Sequence, residues 1–412
     1  MSEKKVVITG IGVLASNAIG KNAFWEAIFN GVSGIKPISL FDTGCFRAKS
    51  AGEIKDFSPQ TFLGDKGLRT LDRSTKLIAS AAKLALDDAG LEINEENSQQ
   101  AGVAVGTTFG SIKSICDFDL EGLKEGVRYV NPALFPNTVI NSPASEVSIK
   151  YKIRGFNATI STGFCASLDA ANYARDFLRF GRAKIVLAGG VEELCQELYL
   201  GFYKTKFLSG LDKNKPELAC PFDKRRNGIV LGEAGVIIVL EDLESALARK
   251  ANILAQVAGF GTSFDSGKIT CYNPKAVGLK KAMRLALEDA GLEEKDINGI
   301  FSGANSRQDA DWLEANAIKG VFAGRAKHIP VSAIKSMTGE CFSASGALQI
   351  AAAAGAIQRQ EMPPTINYQL KDRRCVLNCV ANQKQPLAIS HLMVNCCGPN
   401  GANTSMIISR YN

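Results

Sequence analysis

The stretch Asn157 to Ser167, NATISTGFCAS, reads as a β-branched run, a glycine turn and the start of a helix, an arrangement that can present a nucleophile. Cys165 is the candidate, because a helix dipole favours a thiolate at the helix N-terminus. Phe164 stands immediately before it, and one residue rotates a side chain by about 100° around a helix. Register therefore decides whether a thiol or a phenyl ring faces the site. The chain has only two histidines, His328 and His391, each in or just before an apolar strand-like run. A strand-end or core histidine with a local hydrogen bond accounts for both. Cys375 and Cys379 are four apart and Cys396 and Cys397 adjacent, but no Cys/His set completes four ligands. No metal site is expected, and nothing implies a cofactor.

Short β-branched runs at Lys5 to Ile11, Ala101 to Gly106, Asn157 to Ser161, Ala183 to Ala188 and Gly235 to Leu240 alternate with helical patterns such as Thr75 to Ala89. That alternation predicts an α/β fold with buried sheets. LALDDAGLE at Leu84 to Glu92 returns as LALEDAGLE at Leu285 to Glu293, each closing a helix with glycine. TGFCAS at Thr162 to Ser167 is echoed by TGECFS at Thr338 to Ser343. The chain reads as a duplication, with halves at residues 1–252 and 253–412.

At 412 residues, with 46% hydrophobic and 22% charged positions, the chain is long enough for two cores or one large duplicated one. No segment reaches the roughly 18 apolar residues of a membrane span, and MSEKKVVITG runs straight into a strand, so a cytoplasmic protein is expected. Eleven scattered cysteines fit reduced, buried small residues better than a disulfide framework. The net charge of +7 is spread along the chain, which argues against nucleic acid and suits an acidic protein partner.

VVITGIGVLA at Val6 to Ala15, CPFDKRRNGIVLGE at Cys220 to Glu233, IKSMTG at Ile334 to Gly339 and NCCGPNGAN at Asn395 to Asn403 stand in order along the chain. They are similar to the landmarks of the elongating β-ketoacyl-acyl-carrier-protein synthases, and the resemblance covers essentially the whole sequence. It implies a thiolase-like fold: two similar α/β halves in a five-layered α-β-α-β-α arrangement, working as a dimer. The chemistry it implies needs an acylated cysteine and two histidines that stabilise the enolate of decarboxylating malonyl units.

Matching Ile160-Ser161-Thr162 and the Ala188-Gly189-Gly190 run without a gap puts Phe164 at the family's cysteine. Placing Cys165 there would insert a residue before the turn and remove one from the following helix, changing the face of every later side chain. Gly303 falls at the first histidine, anchored by Asp311 and Glu314. Glu340 falls at the second, directly after the retained Lys335 to Gly339 segment. Phe164 cannot be acylated, Gly303 offers no donor, and an ionised Glu340 would repel developing negative charge.

This pattern resembles the chain-length factors, inactive partners of ketosynthases, in which the cysteine is replaced, often by glutamine, and a Leu-Asp-Ala run follows, here Leu168 to Ala170. Phenylalanine is a departure that leaves polyketide, aryl polyene and unusual fatty acid systems open. The resemblance implies pairing with an active ketosynthase or with a second copy, contact with acyl carrier protein, and a role in shaping the acyl tunnel. By position, Phe109 and Leu134 match tunnel-lining places, Leu134 reaching towards the neighbouring subunit. Cys397 matches the gating phenylalanine, with Pro399 two places on. Lys66, Arg69, Arg73 and Lys76 form a basic stretch opening a helix, a candidate carrier-docking face. Two other readings stay open: an atypical acyltransferase, thioesterase or ketosynthase using Cys165 with Glu340 as base, and a homodimeric carrier-binding scaffold without enzymatic activity.

Overall fold

A computed structural model describes residues 4–267 and 270–411. Ten main strands build it: β1 Val6–Ala15, β2 Ala101–Gly106, β3 Asn157–Ile160, β4 Ile185–Glu192, β5 Ala234–Asp242, β6 Ala255–Phe264, β7 Gly299–Phe301, β8 Pro330–Ser332, β9 His391–Cys397 and β10 Ala402–Ser409. Their order is 3-2-4-5-1 in the first half and 8-7-9-10-6 in the second, so each strand of one half has a counterpart five numbers later. The parallel and antiparallel pairings correspond as well: β2 runs parallel to β3 and β4, as β7 does to β8 and β9. The two sheets touch through β1 and β6 at only two residue pairs, Val7 with Gln256 and Ile8 with Ala255.

Eight helices matter for the layers and the site: α1 Arg73–Ala89, α2 Ile112–Glu125, α3 Ser142–Tyr151, α4 Ala166–Arg179, α5 Gln196–Lys204, α6 Val277–Ala290, α7 Gln308–Phe322 and α8 Ser343–Arg359. α4 and α8 lie between the sheets. α1 covers the outer face of the first sheet, and α6 that of the second. The result is the five-layered, thiolase-like arrangement. α8 is buried on every side from Ser343 to Ile357, and its SASGALQIAAAAGAI sequence suits that place because small side chains let two sheets and α4 approach it together. A Cβ on Gly346 would lie 2.7 Å from Leu168 Cγ, and Ser167 Oγ accepts the Ala347 N–H across the same crossing.

The repeated helix motifs have a structural reason. Asp72 caps α1 by accepting the Thr75 N–H at 2.6 Å, and Gly90 closes it at φ 57°; Gly291 closes α6 at φ 64°. Glycines in the facing strands let these helices seat. A Cβ on Gly12 of β1 would come within 1.9 Å of Ala81 O in α1, and one on Gly261 of β6 within 2.1 Å of Ala282 O in α6. Those glycines also break the β-branched run, which is why the sequence pattern ends β1 at Ile11 while the strand continues to Ala15. Among the described residues no helix is long and apolar enough to cross a membrane.

Gly12→Ala is expected to destabilise the protein by about 2–4 kcal/mol, because the clash is with backbone and must move a whole helix. Urea denaturation would read this as a lower midpoint at unchanged slope.

Candidate functional site

β3 ends at Ile160, Ser161 and Thr162 follow it, and a single 3-10 turn, Gly163–Cys165, feeds α4. Gly163 is at φ 75°, and Asn400 closes the turn by donating Nδ2 to Thr162 O at 3.2 Å. The two residues that follow point in opposite senses. Phe164 lines a cavity of about 510 Å³ together with Phe109, Phe202, Phe207, Thr270, Pro399 and others. Cys165 is fully buried in the core and its Sγ donates to Cys396 O at 3.4 Å. Burial pushes its thiol well above the ordinary value, and the neighbouring Cys396 and Asp169 push the same way. Asp169 sits in the first turn of α4, where it accepts from Thr162 Oγ1 and Thr404 Oγ1, so a carboxylate already answers the helix dipole.

Gly303 lies in the loop after β7. Its N–H donates to Glu314 Oε1 at 3.1 Å and its carbonyl accepts from Lys335 Nζ at 3.0 Å. A Cβ there would come within 2.9 Å of Asn395 O, so even a small side chain needs the backbone to give. Glu340, 1% exposed, is saturated. Oε2 accepts from Lys335 Nζ at 2.9 Å and Asn305 Nδ2 at 2.8 Å; Oε1 accepts from the Phe342 N–H at 3.0 Å and Ser345 Oγ at 2.9 Å. Burial alone would lower the Lys335 pKa, but the Glu340 carboxylate outweighs it and holds the ammonium above its usual range. Lys335 and Glu340 therefore form a buried ion pair, with Nζ and Oε2 2.9 Å apart.

His391 is half-buried on β9, with Nδ1 2.8 Å from Ser409 Oγ and its pKa lowered by burial. His328 is exposed, and its carbonyl accepts from Asn378 Nδ2. Neither lines the cavity, so its wall carries no imidazole.

Several expected positions fall differently. Cys397 is packed in the core of the second half, and the cavity takes Pro399 and Asn400 from that segment instead. The reason is the strand period: Cys397 ends β9 facing inward, and the chain reaches the cavity only after Gly398. Leu134 is half-buried in the 3-10 segment Pro132–Thr138, away from this cavity, whereas Phe109 lines it. Lys66 and Arg69 are exposed but precede the helix, which starts at Arg73. Arg73 turns inward, donating Nε and Nη2 to the buried Glu233 at 2.7 and 2.6 Å, because an unpaired Glu233 would be costly there. Lys76 is half-buried on a polar cavity beside Asp72 and Glu193. As for a Cys165–Glu340 acyltransferase, the thiol is directed into the core and both carboxylate oxygens are engaged.

Phe202, Phe207, Asn400 and Phe342 are site residues that the sequence pattern did not single out. Phe342 ring contacts reach Phe164 at 5.1 Å, Phe109 at 5.4 Å and Phe202 at 4.8 Å between centroids. Its place two residues after Glu340 was the available signal.

This architecture defines a thiolase-like ketosynthase fold. Residues 3–246 match the family description "Beta-ketoacyl synthase, N-terminal domain" and residues 254–369 "Beta-ketoacyl synthase, C-terminal domain". The chain belongs to the β-ketoacyl synthase family. It is 36% identical over 411 residues to a 3-oxoacyl-[acyl-carrier-protein] synthase 2 of Coxiella burnetii, covering 100% of this chain and 99% of that one. It is 34% identical over 410 residues to the same-named protein of Staphylococcus aureus, covering 99% of each. Among solved structures it superposes on the ishigamide ketosynthase/chain length factor with TM-score 0.93 and 32% identity over 100% of both chains. It also superposes on a type II polyketide synthase acyl-carrier protein in complex with its ketosynthase bound to the hexaketide, with TM-score 0.91 and 28% identity, covering 100% of both chains. The likeness extends to the chain-length-factor branch.

Glu314 gives a pH test of this interior. Burial raises its pKa from 4.5 to about 7, against the lowering pull of Ser302 and Asn395. The folded protein thus holds a proton that the unfolded chain releases between those values; its stabilisation is complete below the window and is lost as pH rises through it. Glu314→Gln keeps acceptors for Gly303 and Asn395 and is expected to be more stable than wild type at pH 7.5 by roughly 1–3 kcal/mol. Urea midpoints at pH 5 and 7.5 check it: the difference between them should shrink in the variant.

Proposed function

We propose that this chain is a catalytically silent ketosynthase-fold subunit that pairs with an active β-ketoacyl-acyl-carrier-protein synthase and shapes its acyl passage. The Lys335–Glu340–Asn305 network carries the reading. Condensation needs donors aimed at an enolate oxygen, and here a glutamate, accepting from Lys335 and Asn305, stands where the family has a histidine donor. Phe164 stands where the acylated thiol would be, and Cys165 is directed into the core.

Pairing has its own support. β3 is an edge strand of the first sheet, with one side's backbone groups unmatched. The neighbouring segment 115–149 exposes Leu123, Val127, Tyr129, Phe135 and Ile149, a concentration of apolar surface that a partner would cover. An acyl-carrier protein is the natural third component, as in the polyketide complex that this chain resembles.

The test is purification with and without a co-expressed ketosynthase that has its cysteine and both histidines. The expected result is a stable one-to-one complex, no acyl adduct on Cys165 by intact mass after exposure to an acyl donor, and no condensation by this chain alone. Acylated Cys165 would refute the reading. Phe164→Cys is expected to restore nothing, since each missing donor costs about 100- to 1000-fold in rate. Robust turnover by that variant would overturn the roles given to Gly303 and Glu340.

A further inference from the structure

Phe342 joins the ion pair to the cavity wall. It caps α8 at φ 47°, ψ −117°, a backbone region that side chains rarely adopt, yet it is fully buried. Its ring does not line the cavity but lies behind it, touching the three lining rings of Phe109, Phe164 and Phe202. Its N–H is held by Glu340 Oε1, and the other carboxylate oxygen is anchored by Lys335 and Asn305.

We propose that Glu340 is a positioning residue for this cavity: through the Phe342 N–H it holds the ring that backs Phe109, Phe164 and Phe202, and so sets the length of apolar chain the cavity admits. The inference rests on the passage-shaping role above and assigns its depth to a group that does not touch the chain. Aromatic rings in mutual edge and stacked contact move together, so releasing the hub frees the wall. Glutamine cannot replace Glu340. Both carboxylate oxygens accept from donors, so the amide nitrogen would face donors on one side, breaking either the Lys335–Asn305 anchor or the hold on Phe342 and Ser345.

The experiment is calorimetric titration of the purified chain with saturated fatty acids of graded length. Wild type is expected to show a length beyond which binding is lost. Phe342→Gly suits φ 47° and removes the ring; it should bind the first chain excluded by wild type at least tenfold more tightly. Glu340→Gln should move the limit in the same direction with the ring still present. Making it also with Lys335→Met, which removes the uncompensated charge, provides a second folded form. A merely structural Glu340 would lower the melting temperature without moving the limit. An unchanged limit in Phe342→Gly or in the folded Glu340 variants, or no saturable binding of any chain by wild type, overturns the proposal. Failure to pair with a ketosynthase while the limit moves would count against the partner role alone.

Discussion

The buried ammonium of Lys335 sets the terms for everything around it. An unpaired charge at that depth costs several kcal/mol, so its neighbours must supply acceptors, and they are Gly303 O and Glu340. Glu340 then needs donors for its second oxygen and finds them in the Phe342 N–H and Ser345. Glu314 takes the Gly303 N–H from the other side, so Gly303 is clamped through both of its backbone polar groups. Each oxygen of Glu340 therefore takes two donors, and the carboxylate ties Lys335, Asn305, the Phe342 N–H and Ser345 into one buried network.

The internal repeat explains why Phe164 and Glu340 belong together. Thr162-Gly163-Phe164-Cys165 corresponds to Thr338-Gly339-Glu340-Cys341, and each run precedes one of the two central helices. The glycines share one conformation, φ 75° and 79°, as a turn with no room for a Cβ requires. In both halves the cysteine two residues after the glycine is buried, and Cys165 and Cys341 share one core. Cys165 is thus placed by the same turn that places Cys341, an inert core residue. The inward thiol is a property of the motif, independent of any comparison with active relatives.

Much of the fold was legible because its signals are local. Asp72 and Gly90 bracket α1, and the duplicated Ala-Gly-Leu endings mark α1 and α6 as counterparts. Strand ends were less legible where glycine serves packing, as at Gly10 and Gly12, since the residue that weakens strand propensity is the one the facing helix demands. The site divided along similar lines. The contrast between Phe164 and Cys165 could be read from register, but Arg73 could not be told from a surface cation, because its partner Glu233 is 160 residues away. Cys397 was misplaced by two residues for want of the strand end. For Phe342 only its place two residues after Glu340 was a signal, since a positive φ at phenylalanine leaves no trace in composition or period.

A cavity of about 510 Å³ with an aromatic wall lies open beside Phe164. A site drifting without constraint has an easy route to closure, because each ~100 Å³ of apolar void filled by a larger side chain gains about 2 kcal/mol. Here the wall phenylalanines pack against one another and against Phe342 rather than into the space, and the hub tolerates a strained backbone to keep them there. Stability alone does not select strained packing around an open apolar volume. The arrangement makes sense when the volume itself is what the fold maintains.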